Sequence, residues 1–111
     1  MSETVRYGNT SFKSNFLFGI DERGKTIRFS KAERLLLLQF TRNPKTVVSR
    51  DRLLDAISGQ GSDASDRNID FVINRLRRKL KDSARNPAYI ATQYGEGYVW
   101  VAEQKKGAAQ R

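Results

Sequence analysis

The pattern of apolar and polar positions is most regular over residues 65–82, where no glycine or proline interrupts a helix. At about 100° per residue, the apolar side chains of this stretch fall on one narrow arc. They are Ile69, Ile73, Leu76 and Leu80. The opposite arc carries Arg67, Phe71, Asn74, Arg75 and Arg78, and Arg77, Lys79 and Lys81 lie on the flanks. The pattern predicts a helix with an apolar back against a core and a basic front open to a partner.

The N-terminal part alternates with a period of two, which is typical of strands. Phe16, Phe18 and Ile20 occupy every second position, and alternation resumes over residues 25–29 after a turn signal at 21–24. These features predict a hairpin, with a third short strand within residues 5–13. We expect an antiparallel sheet with one face on the core.

Two further helices are predicted before the basic one. Ser30 and Glu33 have the spacing of a capping box and precede a leucine run at 35–38, which indicates a helix largely surrounded by protein. Ser49 is predicted to cap the second helix. The loop at 59–64 then connects it to the basic helix, as in a helix-turn-helix.

The C-terminal part predicts a β-hairpin, because two β-rich runs at 89–92 and 98–101 flank a Gly-Glu-Gly turn. The order of elements is therefore an antiparallel sheet, three helices and a hairpin, which is an α+β fold. We expect one domain over residues 1–104, and a flexible tail over 105–111.

The composition narrows the class of function. The 111 residues suffice for one small domain and contain neither histidine nor cysteine. The usual general bases, thiol nucleophiles and zinc ligands are therefore missing. We expect no enzyme, cofactor, metal or small-molecule substrate. The chain has no apolar run long enough to span a membrane and no secretory signal pattern, so we expect it in the cytoplasm.

The charge indicates a polyanionic partner. The net charge is +9, and residues 67–85 hold seven Lys or Arg against two Asp. The high net charge favours nucleic acid first and an anionic membrane surface second, and its clustering indicates a binding footprint rather than general solubility. Arg and Asn can make bidentate contacts to bases in the major groove, and the ring of Phe71 could meet a thymine methyl. Arg50 and Arg52 lie near the positive end of the second helix, where a phosphate would explain them. An ordinary solvated basic surface is the alternative for both groups.

Residues 27–101 resemble the winged-helix DNA-binding domain of OmpR/PhoB-type transcription regulators. The matching segments, in order, are Ser-Lys-Ala-Glu at 30–33, Val-Val-Ser-Arg-Asp at 47–51, Arg-Asn-Ile-Asp at 67–70, Ile-Asn-Arg-Leu-Arg-Arg-Lys-Leu at 73–80, Tyr-Ile-Ala-Thr at 89–92 and Gly-Glu-Gly-Tyr at 95–98. The resemblance implies that the third helix enters the major groove and that the hairpin, the wing, contacts the adjacent minor groove or the backbone.

The expected site divides into three groups. Base contacts are expected from Arg67, Phe71, Asn74 and Arg75, phosphate contacts from Arg50, Arg52, Arg77, Arg78 and Thr92, and wing contacts from Gln93, Tyr94 and Glu96. Tyr94 stands where the family's wing commonly carries an arginine, and Glu96 would repel a nearby phosphate.

The resemblance also implies partners. We expect double-stranded DNA, a monomer in solution and a head-to-tail pair on repeated half-sites, with RNA polymerase as a further candidate. Such a domain can be an excised effector domain, a free-standing regulator or the cytoplasmic head of a membrane-tethered regulator of the ToxR/CadC kind. The alternative function is a protein-interaction module anchored by Phe71 and Tyr94.

Overall fold

The computed structural model describes residues 3–58 and 68–105, which form an α+β winged helix as predicted. The elements within these ranges are β1 (Thr4–Tyr7), β2 (Thr10–Lys13), β3 (Phe18–Ile20), β4 (Thr26–Arg28), α1 (Lys31–Arg42), β5 (Val47–Val48), α2 (Arg50–Ile57), α3 (Ile69–Leu80), β6 (Ile90–Gln93), β7 (Gly97–Trp100) and β8 (Gln104–Lys105). None of the helices in the described ranges is long and apolar enough to cross a bilayer.

The N-terminal sheet is antiparallel, with strand order β4-β3-β2-β1-β8. The expectation of one strand within residues 5–13 is wrong, because Gly8 turns the chain at a φ of 57° and separates β1 from β2. Lys105 was expected to begin a flexible tail but pairs with Arg6 in β8. The rest of that tail, residues 106–111, lies outside the described residues.

The β3–β4 hairpin and its turn at 21–24 are confirmed, and a glycine lies on the inward face of β3. Gly19 is buried and lies in close contact with β2, whereas Ile20 is 41% exposed. Phe16 is buried but precedes the strand, in a left-handed conformation. The alternation of large apolar residues therefore does not indicate which face of β3 is inward, because glycine holds the inward position of this strand.

Local capping explains where the first two helices begin. Ser30 Oγ accepts the backbone N–H of Glu33 at 3.2 Å, and the backbone N–H of Ser30 donates to Glu33 Oε1 at 2.8 Å, so the predicted capping box is confirmed. Ser49 caps α2 by accepting from the backbone N–H of Arg52. Both helices thereby satisfy orphan N–H groups at their first turns.

The third helix begins and ends inside the predicted 65–82. Asn68 caps its start by accepting from the backbone N–H of Phe71, and Lys81 ends it in a left-handed conformation. The predicted apolar stripe is confirmed, since all four of its side chains are buried. Residues 65–67 and the predicted loop at 59–64 lie outside the described residues.

The wing is the predicted hairpin of β6 and β7, and a further strand, β5, extends it into a second sheet of order β5-β7-β6. Gly97 has a φ of 150°, and a side chain there would collide with the backbone carbonyl of Val48. Trp100 joins this sheet to the core, stacking on Phe40 of α1 and meeting Tyr7 of β1 edge-on. The wing is thus built on the same core as the helices.

Candidate nucleic-acid interface

The outward face of α3 carries three of the residues expected there. Phe71 is 45% exposed despite its apolar ring, and Asn74 and Arg78 are exposed as well. The Arg78 side chain makes no hydrogen bond or ion pair within the described part of the chain. Arg67, the remaining expected base contact at the start of this helix, lies outside the described residues. The face offers an apolar ring, an amide and a guanidinium to a partner.

Arg75 is held against α1. Its Nε donates to Glu33 Oε2 at 2.6 Å, and its Nη2 donates to Ser30 Oγ at 3.0 Å. Its guanidinium also lies 5.8 Å from the centre of the Phe71 ring, within the range of a cation–π contact. A quarter of the side chain remains exposed. Arg75 is therefore fixed in orientation by the start of α1.

Glu33 is fully buried and forms ion pairs with two cations of α3. Its Oε1 accepts from Lys79 Nζ at 2.6 Å, in addition to its bond with Arg75. Burial raises the pKa of Glu33, but the hydrogen bonds from Lys79, Ser30 and Arg75 outweigh burial and lower it. The carboxylate therefore stays charged and joins the two helices.

Arg77 is the main correction, because it was expected on the flank of α3 as a phosphate contact and is instead 5% exposed. Its Nη2 donates to Ile90 O and to Thr92 Oγ1, both at 2.8 Å, and its Nε donates to Ile90 O at 3.2 Å. Its Nη1 reaches Asn74 Oδ1 at 3.3 Å. With its donors used by the wing and by α3, Arg77 joins these two elements instead of facing a phosphate.

A second cluster joins α2, α3 and the wing. Asp70 accepts from Arg50 Nε at 2.9 Å and from the hydroxyl of Tyr98. The guanidinium groups of Arg50 and Arg77 each lie 5.5 Å from the centre of the Tyr98 ring. The hydrogen bond from Tyr98 lowers the pKa of Asp70, and the adjacent Arg50 lowers it further against the effect of burial. Arg50, an expected phosphate contact, is therefore oriented by a carboxylate while remaining about half exposed.

The remaining expected residues lie at the edges of this surface. Arg52 is exposed in the first turn of α2. Thr92 is half-buried and its hydroxyl accepts from Arg77. At the tip of the wing, Gln93, Tyr94 and Glu96 are all exposed, Tyr94 by 86%. The wing tip thus presents an aromatic ring and an amide beside one carboxylate.

The connection from α3 to the wing is fixed by one carboxylate that the sequence did not single out. Asp82 Oδ1 accepts the backbone N–H groups of Ser83 and Ala88, and Oδ2 accepts those of Tyr89 and Ile90, at 2.7–3.2 Å. This arrangement orients β6 relative to the end of α3.

Sequence analysis also missed the shared role of Glu33 and Lys79. The capping-box spacing identified Glu33 as a local cap but gave no sign that the same carboxylate binds a helix about forty residues further along. Within residues 3–58 and 68–105 no group of acidic side chains could hold a metal ion. The described surface therefore offers fixed cations, an amide and exposed rings, which are the groups used for nucleic-acid recognition.

Comparison with known proteins gives a consistent result. Residues 24–100 match the family model described as transcriptional regulatory protein, C terminal. The transcriptional regulatory protein AruR of Pseudomonas aeruginosa is 41% identical over 83 residues, which are 75% of this chain and 34% of AruR. The regulatory protein VirG of Agrobacterium fabrum is 38% identical over 84 residues, 76% of this chain and 33% of VirG. The chain thus spans about a third of the length of these relatives.

Solved structures with the same fold include regulator domains. The DNA-binding domain of Klebsiella pneumoniae RstA, in complex with the RstA box, superposes with a TM-score of 0.69 at 26% identity, covering 89% of this chain and 97% of that one. The DNA-binding domain of E. coli CadC superposes with a TM-score of 0.74, covering 95% of this chain and 98% of that one. At 24% sequence identity, the similarity to CadC is evidence for a shared fold only.

Proposed function

Because the chain belongs to the family of C-terminal domains of transcriptional regulatory proteins, we propose that it binds double-stranded DNA sequence-specifically and controls transcription. The third helix lies in the major groove and the wing contacts the neighbouring backbone or minor groove. This family is a class of DNA-binding domains and not of enzymes. The single observation that carries the proposal is the outward face of α3, where Phe71, Asn74 and Arg78 are exposed on a helix whose back is fully packed.

Base contacts come from this face. The amide of Asn74 suits an adenine edge and the ring of Phe71 suits a thymine methyl. Arg75 contacts a base with the exposed part of its guanidinium, which Glu33 and Ser30 hold in one orientation. Arg67 is the fourth proposed base contact, and its assignment rests on the sequence alone. Ion pairing within the protein before binding reduces the ordering cost that Arg75 would otherwise incur in the complex.

Phosphate contacts come from three arginines around this face. Arg78 follows on the same side of α3, and Arg50 and Arg52 lie at the start of α2, where the helix dipole also favours an anion. Thr92 and Gln93 of the wing contact the sugar-phosphate backbone of the DNA. Tyr94 takes the place of a groove-inserting arginine, and Glu96 is directed away from the phosphates. Arg77 is assigned to holding the wing, not to DNA.

The arrangement on DNA is part of the same proposal. Two copies bind head to tail on direct repeats about one helical turn apart, since one helix alone reads few base pairs. RNA polymerase is the further partner, and the cytoplasm is the site of action.

The test is selection of binding sites from a random duplex library, followed by titration with the selected duplex. Phe71→Ala and Asn74→Ala should each lose discrimination at one base pair, worth about 1–3 kcal/mol. Arg78→Ala should weaken all duplexes alike. With about 6 phosphates neutralised, log K should fall with a slope near −5 against log salt.

Two controls keep this test decisive. Arg42→Ala removes the same charge from the last turn of α1, distant from Ser30 at its start, and should leave the selected site unchanged. If the protein retards no duplex at low salt, DNA binding is wrong, and the exposed Phe71 and Tyr94 would instead anchor a protein partner.

A further inference from the structure

A groove between the β3–β4 hairpin and the end of α3 is lined mainly by cations. Lys25 and Arg28 come from the hairpin, and Arg78, Lys79 and Lys81 come from α3 and its end; Asp21 is the single carboxylate. The groove has a volume of about 330 Å³. An excess of this size in one concave surface attracts an anion strongly, because the cations reinforce each other's field.

The acidic groups near the groove are already occupied. Asp21 Oδ1 accepts the backbone N–H groups of Arg23 and Lys25, and its Oδ2 lies 3.9 Å from Lys81 Nζ. Glu33 carries one negative charge against both Arg75 and Lys79. Positive charge therefore remains in excess among the described residues that line the groove, which carry five cations against the carboxylate of Asp21 and the shared charge of Glu33.

Three of the groove cations, Lys25, Arg28 and Arg78, are exposed and available to a ligand. The side chains of Arg28 and Arg78 are exposed and make no hydrogen bond or ion pair within the described residues. Arg28 is held in place through its backbone, since Lys79 Nζ donates to its carbonyl at 2.8 Å. The hydroxyl of Thr26 lines the same groove and supplies a neutral donor.

We propose that this groove binds the sugar-phosphate backbone of the same DNA duplex, beyond the segment that α3 contacts in the major groove. The occupant follows from charge and from continuity: Arg78 belongs both to the outward face of α3 and to the groove wall. Arg28 and Lys25 of the hairpin neutralise phosphates there, with Thr26 as a neutral partner. The N-terminal sheet thus lengthens the DNA footprint without adding base specificity. This inference rests on the proposed function.

The test uses the selected duplex and the variants Arg28→Ala and Lys25→Ala. Each should weaken binding roughly two- to five-fold, as expected for an exposed charge pair. Each should also make the slope of log K against log salt shallower by about 0.9. The site preference should stay unchanged. Arg28→Lys should restore most of the affinity, because lysine still binds phosphate as a point charge.

Ethylation of individual phosphates locates the contact directly. In wild-type protein, interference should extend past the major-groove segment on one side. Arg28→Ala should weaken that outer part alone, and the double variant Lys25→Ala/Arg28→Ala should abolish it. Arg42→Ala is the charge-matched control. If Arg28→Ala and Arg42→Ala lower the affinity equally, or if the outer interference persists in the double variant, the groove is not a backbone site, while duplex binding by wild-type protein would still support the proposed function.

Discussion

Arg75 of α3 and Glu33 of α1, 42 residues apart in the chain, meet with 2.6 Å between Nε and Oε2. Glu33 is fully buried, and Lys79 occupies its other oxygen. The first turn of α1 therefore holds α3 in orientation through two of its cations.

Glu33→Gln should lower the free energy of unfolding by about 1.5–3 kcal/mol, the range for hydrogen bonds to charged groups. The amide cannot accept from both Arg75 and Lys79, because one of its two terminal atoms is a donor. Glu22→Gln is the matched control, since Glu22 is exposed and should change stability by less than about 0.5 kcal/mol. Urea unfolding measures the free energy of unfolding of both variants. Equal losses would mean that the ion pairs of Glu33 with Arg75 and Lys79 add no stability.

The stability should fall in acid. The pKa of Glu33 and the pKa of Asp70 are lowered in the folded protein, so near pH 4 the unfolded chain binds more protons. The stability these carboxylates provide is present above their ordinary pKa values and is lost as pH falls through the folded ones. Urea midpoints between pH 7 and pH 3 should decline, and Glu33→Gln should flatten the decline. An unchanged profile in that variant would refute this assignment.

Arg77→Lys should destabilise the protein by about 1–3 kcal/mol despite keeping the charge. One ammonium cannot reproduce the bonds to Ile90 O, Thr92 Oγ1 and Asn74 Oδ1. Arg78→Lys, one residue further along and exposed, is the control and should be nearly neutral. Thermal unfolding gives the magnitudes, and amide chemical shifts should move in β6 for Arg77→Lys alone.

Tyr98→Phe should remove the hydroxyl that donates to Asp70 while keeping the ring that lies near Arg50 and Arg77. The loss should be about 0.5–1.5 kcal/mol, and the pKa of Asp70 should move back toward its ordinary value. Carboxyl NMR titration measures that shift. Tyr94→Phe, at an 86% exposed ring, should leave the Asp70 titration as it is in wild type.

The features that could be predicted are those encoded locally. The stripe from Ile69 to Leu80 follows from helical periodicity, and the capping box follows from a four-residue spacing. β5 and β8 escaped prediction because each has two residues, and no periodicity exists over that length. The inward face of β3 could not be predicted, because it is occupied by Gly19. A hydrophobic pattern does not register a residue that has no side chain.

The candidate site was predictable only where exposure depends on α3 alone. Phe71 and Asn74 face outward because none of the described residues that follow them covers them. Arg77 lies on the flank of the wheel, and its burial depends on acceptors from Ile90 and Thr92, which the hairpin brings in afterwards. The role of Arg75 likewise depends on Glu33 of a preceding helix. Such contacts are set by tertiary packing, which a single-element pattern does not contain.

The four backbone N–H groups gathered by Asp82 have a consequence for recognition. These hydrogen bonds hold the start of β6 against the end of α3. The distance between the outward face of α3 and the wing is therefore fixed. On the proposed binding mode, one extra base pair between the DNA segments that α3 and the wing contact would lengthen the target by about 3.4 Å. The protein would have to compress or bend such a target. On this proposal, the protein sets the distance between the α3 contact and the wing contact, and the DNA has to conform to it.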